Sequence, residues 1–218
     1  MNQKNYWTNI ILDWESSSFN KKNKNISFIE RIAGLFRGTI RNRRKIALEY
    51  IKKVKPKNIL ELGCGSGDFA IQLLSNKNIK KIYAFDIAST AIDLANKKRG
   101  MKRLEKRLAF YCKSINQINF TKYKNIDMVV GLGLTPYLTK KELNKIINFS
   151  KNKKYFIDFH LKTLSLQNLL HWIYRKIKND PFPFYRRYSK NEIFENLENL
   201  DMRNFKLKTS KGVTYITR

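Results

Sequence analysis

The chain has 218 residues, 42% of them hydrophobic and 13% aromatic, which is the make-up of one globular domain with a core and not of a disordered segment. Its 45 Lys and Arg face 17 Asp and Glu, a formal net charge of +28. Two cysteines, Cys64 and Cys112, without CxxC or paired spacing exclude a disulfide framework and a cysteine zinc site, and predict a reducing, cytoplasmic setting.

No apolar run reaches the ~18 residues a bilayer span needs, and the opening MNQKNYWTNIILDWESSS lacks the basic-then-apolar order of a signal peptide. The charge has two readings. One is compositional drift, since the chain is also crowded with Asn and Ile. The other is an anionic partner: nucleic acid, an acidic membrane surface that would make the protein peripheral, or a small polyanionic substrate.

Residues 1–25 are polar and aperiodic, and read as an arm with aromatic anchors. From Ile26, apolar residues at Phe28, Ile29, Ile32, Leu35 and Phe36 predict a helix that stops near Gly38. A second helix presents Ala47, Tyr50, Ile51 and Val54 on one face and Arg41, Arg43, Arg44, Lys52 and Lys53 on the other, and Pro56 ends it. NILEL is then a buried strand, followed by a glycine loop and a helix facing inward at Ala70, Leu73 and Leu74. KIYAFD, LAFYC, IDMVVGL and KKYFIDF read as strands two to five. The STAIDLANKK helix lies between the second and third, with Ala91, Ile92 and Ala95 on one face. Thr139 with Glu142, and Ser189 with Glu192, form capping boxes that open two further helices. Between them lies a basic amphipathic helix with Leu166, Leu169, Leu170, Ile173 and Ile177 in register, broken by NDPFPF. Strands near 203–209 and 213–217, joined by SKG, close the chain as a hairpin. Strands alternating with helices predict an α/β, Rossmann-like, doubly wound, seven-stranded and mostly parallel sheet, with a C-terminal antiparallel hairpin and an N-terminal helical cap. The expected division is an arm and cap over 1–54 and a domain over 55–218, with a lid insertion about 162–188.

The stretch NILELGCGSGDFA carries the chemistry. Glycines between a strand and a helix let backbone N–H groups approach a ligand. No Lys follows the last glycine, so a Walker phosphate loop is excluded, and Gly63, Gly65 and Gly67 give GxGxG rather than the dinucleotide GxGxxG. Glu61, two residues before the first glycine, would repel a pyrophosphate and suits a cation. Asp86 ends the second strand, 19 residues after Gly67, where a carboxylate accepts hydrogen bonds from ribose hydroxyls. A ligand with a ribose, a positive group and no phosphate fits both acids; S-adenosylmethionine is such a ligand.

On these residues the sequence resembles the class I S-adenosylmethionine-dependent methyltransferases, from about residue 40 to the C-terminus. ILELGCGSGDFA looks like their first motif and YAFDIASTAIDLA like the second. NIDMVVGLGLTPYL is similar to the fourth-strand motif, and RRYSKNEIFENLENLDMRNFKL to the last helix and sixth strand. The resemblance implies S-adenosylmethionine as cofactor. It implies contacts from Glu61, Gly63, Cys64, Gly65 and Gly67, with Asp86 at the ribose, Ile87 at the adenine and Gly131 near the methionine moiety. Where many relatives carry an adenine-binding Asp, this chain has Ser114, followed by Ile115, with Asn116 nearby. Both cysteines read as buried small filler, with Cys64 lining the ligand through its backbone.

Methyl transfer needs an acceptor held in line and, for many hydroxyl acceptors, a base. His160, at the end of the fifth strand, is the candidate base; a histidine there without a role is the plain alternative. Tyr137 either walls the acceptor pocket or packs the next helix. Asp158 lies within the fifth strand and could point either way; His171 reads as helix surface. TPY is not the NPPY-type motif of amino methyltransferases, which disfavours N-methylation. Trp172, Tyr174, Arg175, Lys176 and Lys178, then PFPFYRRY, read as a lid. Arg186 and Arg187 would clamp a carboxylate or phosphate, or form a solvated basic face. LGLTPYL, the basic segment and GVTYITR resemble a bacterial group of O-methyltransferases that includes magnesium-protoporphyrin O-methyltransferase. That resemblance implies an oxygen acceptor on an anionic small molecule, with a lipid- or saccharide-linked acceptor equally open. The competing readings are an RNA methyltransferase, from the charge, and a non-catalytic S-adenosylmethionine-binding protein.

Overall fold

Seven strands form one sheet: β1 (Asn58–Leu62), β2 (Lys81–Asp86), β3 (Leu108–Cys112), β4 (Met128–Gly131), β5 (Lys154–Phe159), β6 (Lys206–Ser210) and β7 (Val213–Thr217). The computed structural model describes residues 3–19, 28–162, 185–198 and 204–218. The strand order is β3-β2-β1-β4-β5-β7-β6. β1 to β5 are parallel; β7 is antiparallel to both β5 and β6. The expected sheet and closing hairpin are therefore present, with β7 rather than β6 against β5. Sequence chemistry explains that order. All five residues of β7, VTYIT, are buried, whereas β6, KLKTS, is a polar edge whose lysines suit an exposed strand.

Helices cover both faces. Alternation along the strands sends Ile59, Ala84, Val130 and Phe156 to one face. There they meet Ala47 and Ile51 of α2 (Phe28–Val54), Phe69 and Leu73 of α3 (Asp68–Leu73), and Ala95 of α4 (Ser89–Met101). Leu60, Leu62, Phe85, Val129 and Ile157 point the other way. They pack on Leu143 and Ile147 of α5 (Lys140–Ser150), and on Ile193 and Leu197 of α6 (Lys190–Glu198). Both capping boxes form: Glu142 N donates to Thr139 Oγ1 and Thr139 N to Glu142 Oε2, and Ser189 and Glu192 make the same exchange.

Three local expectations change. The arm is helical over α1 (Gln3–Phe19). Among its described side chains, Ile11 packs with Ala88 and Ala91, Trp7 joins them, and Thr90 Oγ1 donates to Thr8 O at 2.6 Å. Tertiary contact overrides a polar composition here. The two expected cap helices are one helix of 27 residues, α2, which runs through Gly34 and Gly38. A helical glycine costs only about 1 kcal/mol, too little to stop a helix docked further along. Cys112 is exposed, unlike the buried Cys64, because it sits at the last position of β3. The amphipathic helix, His171 and the body of the predicted lid, residues 163–184, lie outside the described residues. Among the described residues no helix is long and apolar enough to cross a membrane.

Candidate active site

The carboxyl ends of β1 to β5 lie in register, with Leu62 beside Phe85 and Gly131, Asp86 beside Cys112, and Gly131 beside Ile157. All the loops that follow them open on one edge of the sheet, where ligands of open α/β sheets bind.

At β1 the chain turns through Gly63, Gly65 and Gly67, each with a positive φ (71°, 54° and 78°). Gly63 N and Cys64 N donate to Phe85 O at 2.8 and 3.1 Å, tying the loop to β2. The Asp86 carboxylate locks the loop from the side: Gly65 N donates to Oδ2 at 2.8 Å and Ala88 N to Oδ1 at 2.9 Å. A carboxylate oxygen accepts more than one hydrogen bond, so Asp86 keeps capacity for ribose hydroxyls. Glu61 is 3% exposed, at the penultimate position of β1. Gly131 ends β4, and a Cβ there would meet only Leu134 Cδ2, at 4.0 Å. Its missing side chain is therefore not demanded by packing. Ile87 is half-buried after Asp86. Ser114 N and Oγ both donate to Gln117 Oε1, part of a capping box on the short helix that follows. Ile115 belongs to the core with Phe85 and Phe120, and Asn116 donates to Glu142 on α5.

The second half of the site lies after β4 and β5. Asp158 is 1% exposed, and Gly133 N donates to its Oδ1 at 2.6 Å. Its Oδ2 lies 2.7 Å from Nε of Arg43, an ionic contact rather than a linear hydrogen bond. Burial pushes the Asp158 carboxyl above its ordinary range; Arg43 and the Gly133 N–H pull it part of the way back. Arg43 Nη2 is 2.6 Å from His160 Nε2, and His160 Nδ1 contacts the Tyr185 hydroxyl. The Tyr185 ring packs edge-on against Tyr137 at 5.5 Å, with the Arg187 guanidinium 5.7 Å from its centre. Tyr137 also meets Trp7 of α1 at 4.8 Å, and Gln3 Nε2 donates to Tyr137 O. So α1 bridges the loop after β4 and the start of α4.

The glycine loop after β1 and Asp86 at the end of β2 thus meet, and Tyr137 and His160 share a second cluster, through Tyr185, after β4 and β5. Arg186 and Arg187 have different neighbours. Arg186 lies over Tyr188 and 3.7 Å from Glu192, while Arg187 joins the Tyr185 cluster. Arg43 was missed: it reads as part of the solvated face, yet it is 6% exposed. The signal was present, because Arg43 stands four residues before Ala47 and eight before Ile51, on the buried stripe. Tyr185 reads only as lid. It is brought in by a short parallel bridge, with Tyr188 N donating to His160 O and Arg186 N to Pro136 O.

A family model described as a methyltransferase domain matches residues 53–204. The chain belongs to the class I S-adenosylmethionine-dependent methyltransferases. The cofactor of that family is S-adenosylmethionine, and the residues present fit it. Glu61 offers a buried carboxylate for an ammonium group, Asp86 suits a ribose diol, and Gly131 leaves room where packing asks for none. Over 164 residues this methyltransferase is 26% identical to the release factor glutamine methyltransferase of Flavobacterium psychrophilum, covering 72% of this chain and 56% of that protein. Over 101 residues it is 32% identical to the Buchnera aphidicola subsp. Baizongia pistaciae enzyme of the same name, covering 46% and 34%. The chain thus spans about half or less of the length of these curated relatives. The magnesium protoporphyrin IX methyltransferase of Synechocystis PCC 6803, crystallised with bound SAH, shares the fold, with a TM-score of 0.67 at 16% identity over 99% of this chain and 97% of that one.

Proposed function

We propose that the protein transfers a methyl group from S-adenosylmethionine to an oxygen of an anionic small molecule, held against Tyr137, His160, Tyr185 and Arg187. When bound, the cofactor supplies a methyl group on a positively charged sulfur, open to in-line displacement. The observation that carries the acceptor class is the polarity of this rim. Arg187 and the Tyr185 hydroxyl stand beside His160, and the neighbouring Asp158 carboxylate is matched by Arg43. A donor-rich rim with aromatic walls favours a carboxylate, which needs no base to accept a methyl group.

A second reading, methylation of a glutamine amide, is favoured by the two curated relatives named above. The loop after β4 argues against it. An amide nitrogen must be polarised by an acceptor group, and Leu134 instead lays an apolar side chain over Gly63 and Gly131. The Thr135 hydroxyl is buried and donates to Asp158 O at 2.8 Å.

The test is label transfer from methyl-radiolabelled S-adenosylmethionine to a panel of aromatic and aliphatic carboxylates, their alcohol analogues, a glutamine-containing peptide and RNA. Label in a carboxylate, released as methanol by mild base, is the expected result. Base-stable label in the peptide or in RNA would overturn the acceptor class. Failure of the wild type to bind SAH in calorimetry would remove the methyltransferase reading itself.

A further inference from the structure

We propose that Arg43 is a positioning residue that fixes His160 as its neutral, Nδ1-protonated tautomer, and that His160 thereby donates to the Tyr185 hydroxyl oxygen. The assignment of Tyr185 to the acceptor rests on the function proposed above; the tautomer does not. A guanidinium has five N–H donors and no acceptor. At 2.6 Å from Arg43 Nη2, His160 Nε2 must therefore present its lone pair. A neutral imidazole then carries its proton on Nδ1, and that proton is donated to Tyr185 Oη. The Tyr185 hydroxyl proton is left pointing away from His160. The ring that carries it packs against Tyr137 and the Arg187 guanidinium.

Arg43 can hold this position because it is itself held. Asp158 takes its Nε at 2.7 Å, and the same carboxylate is anchored by Gly133 N at 2.6 Å. A Cβ on Gly133 would stand 2.4 Å from Arg43 Nη1, so the glycine is what admits the guanidinium. A second proton on His160 would set an N–H against the guanidinium. Asp158 Oδ2, 3.9 Å from Nε2, is farther than Arg43 and already matched. In this arrangement His160 donates and does not take a proton from the acceptor.

The chain has two histidines, His160 and His171, so the ring nitrogens can be assigned by long-range proton–nitrogen NMR on uniformly labelled protein with SAH added. The expected result near pH 7.5 is His160 as the Nδ1–H tautomer. Arg43→Met and Gly133→Ala should both convert it to the commoner Nε2–H form or to the imidazolium. SAH affinity of Arg43→Met should stay within about threefold, because that change does not touch the glycine loop. Should Arg43→Met not fold with Asp158 left uncompensated, the double variant Arg43→Met/Asp158→Asn removes both charges and makes the same prediction. In turnover, once an acceptor is known, His160→Asn should retain more kcat than His160→Gln, because the Asn amide N–H stands where Nδ1–H does. An Nε2–H tautomer or an imidazolium in the wild-type protein at pH 7.5, or an unchanged Nδ1–H tautomer in both variants, would overturn the proposal. Loss of SAH binding by the wild type would instead remove the function and leave the tautomer standing.

Discussion

Gly67 and Gly131 both lie where the strands' carboxyl ends meet their loops, and the geometry separates what each glycine is for. At Gly67 the backbone sits at φ +78°, and a Cβ would lie 2.4 Å from Phe110 Cζ and 3.0 Å from Ala95 Cβ. The left-handed backbone costs an L-residue about 1–2 kcal/mol, and a methyl forced into a filled core costs about 1–3 kcal/mol more. Neither Phe110, 6% exposed in β3, nor Ala95, fully buried in α4, can swing into solvent. Gly67→Ala should therefore lose about 3 kcal/mol, a large share of the ~5–15 kcal/mol typical of a domain. At roughly 2–4 °C per kcal/mol for this size, the melting temperature should fall by about 6–12 °C. At Gly131 φ is not left-handed, and an added Cβ meets nothing of the protein closer than 4.0 Å. Gly131→Ala should melt within about 2 °C of wild type yet lose SAH affinity, by about tenfold, because its methyl enters the space the cofactor needs. Thermal unfolding and SAH calorimetry on the two variants give four numbers with opposite signatures. A Gly67→Ala protein that melts like wild type would refute the packing argument, and a Gly131→Ala protein with full SAH affinity would refute the cradle.

Asp86→Asn should keep the fold, since an amide oxygen still accepts from Gly65 N or Ala88 N, but weaken SAH about 10- to 100-fold through the loss of charged hydrogen bonds, as calorimetry will show. Glu192 is held down to about 2 by the Ser189 N–H first and then by Lys162. A depressed carboxyl stabilises the fold above its ordinary 4.5 and loses that contribution as pH falls from there toward 2. The melting-temperature gap between wild type and Glu192→Gln should accordingly be present at pH 6, shrink below pH 4.5 and close only below about pH 2. It should amount to only about 1 kcal/mol, because the pair is solvent-screened. Trp7→Ala removes the edge-on contact with Tyr137, an interaction of about 0.5–1.5 kcal/mol, and should speed hydrogen exchange in α1 while leaving β1 unchanged.

Where backbone geometry alone dictates residue type, the sequence is easy to read. Three glycines after an apolar strand, an acid at the end of the next strand and two capping boxes each state a local demand that no distant residue alters, and all of them recur in the structure. What resisted reading depends on partners far along the chain. The arm became α1 because Trp7, Thr8 and Ile11 find Tyr137, Thr90 and Ala88, contacts with no periodic trace in MNQKNYWTNIILDWESSS. The edge order of β6 and β7 was implicit in two lysines, which mark β6 as the strand that faces water and leave the apolar β7 to pair with β5. Arg43 is the instructive case. In a chain with 45 basic residues, one more arginine on a helix reads as solvation, and only its phase with Ala47 and Ile51 sets it apart. Phase alone would still have counted as an error of patterning, because a buried guanidinium is costly unless it is matched. The match comes from three places at once: the Asp158 carboxylate on β5, the His160 lone pair two residues on, and the missing side chain of Gly133 after β4. None of these makes sense alone. A buried aspartate wants a cation, an accepting Nε2 wants a donor, and a positive-φ glycine there leaves room for one guanidinium. Their convergence on Arg43 is why this arginine belongs to the working edge of the sheet and not to the basic surface.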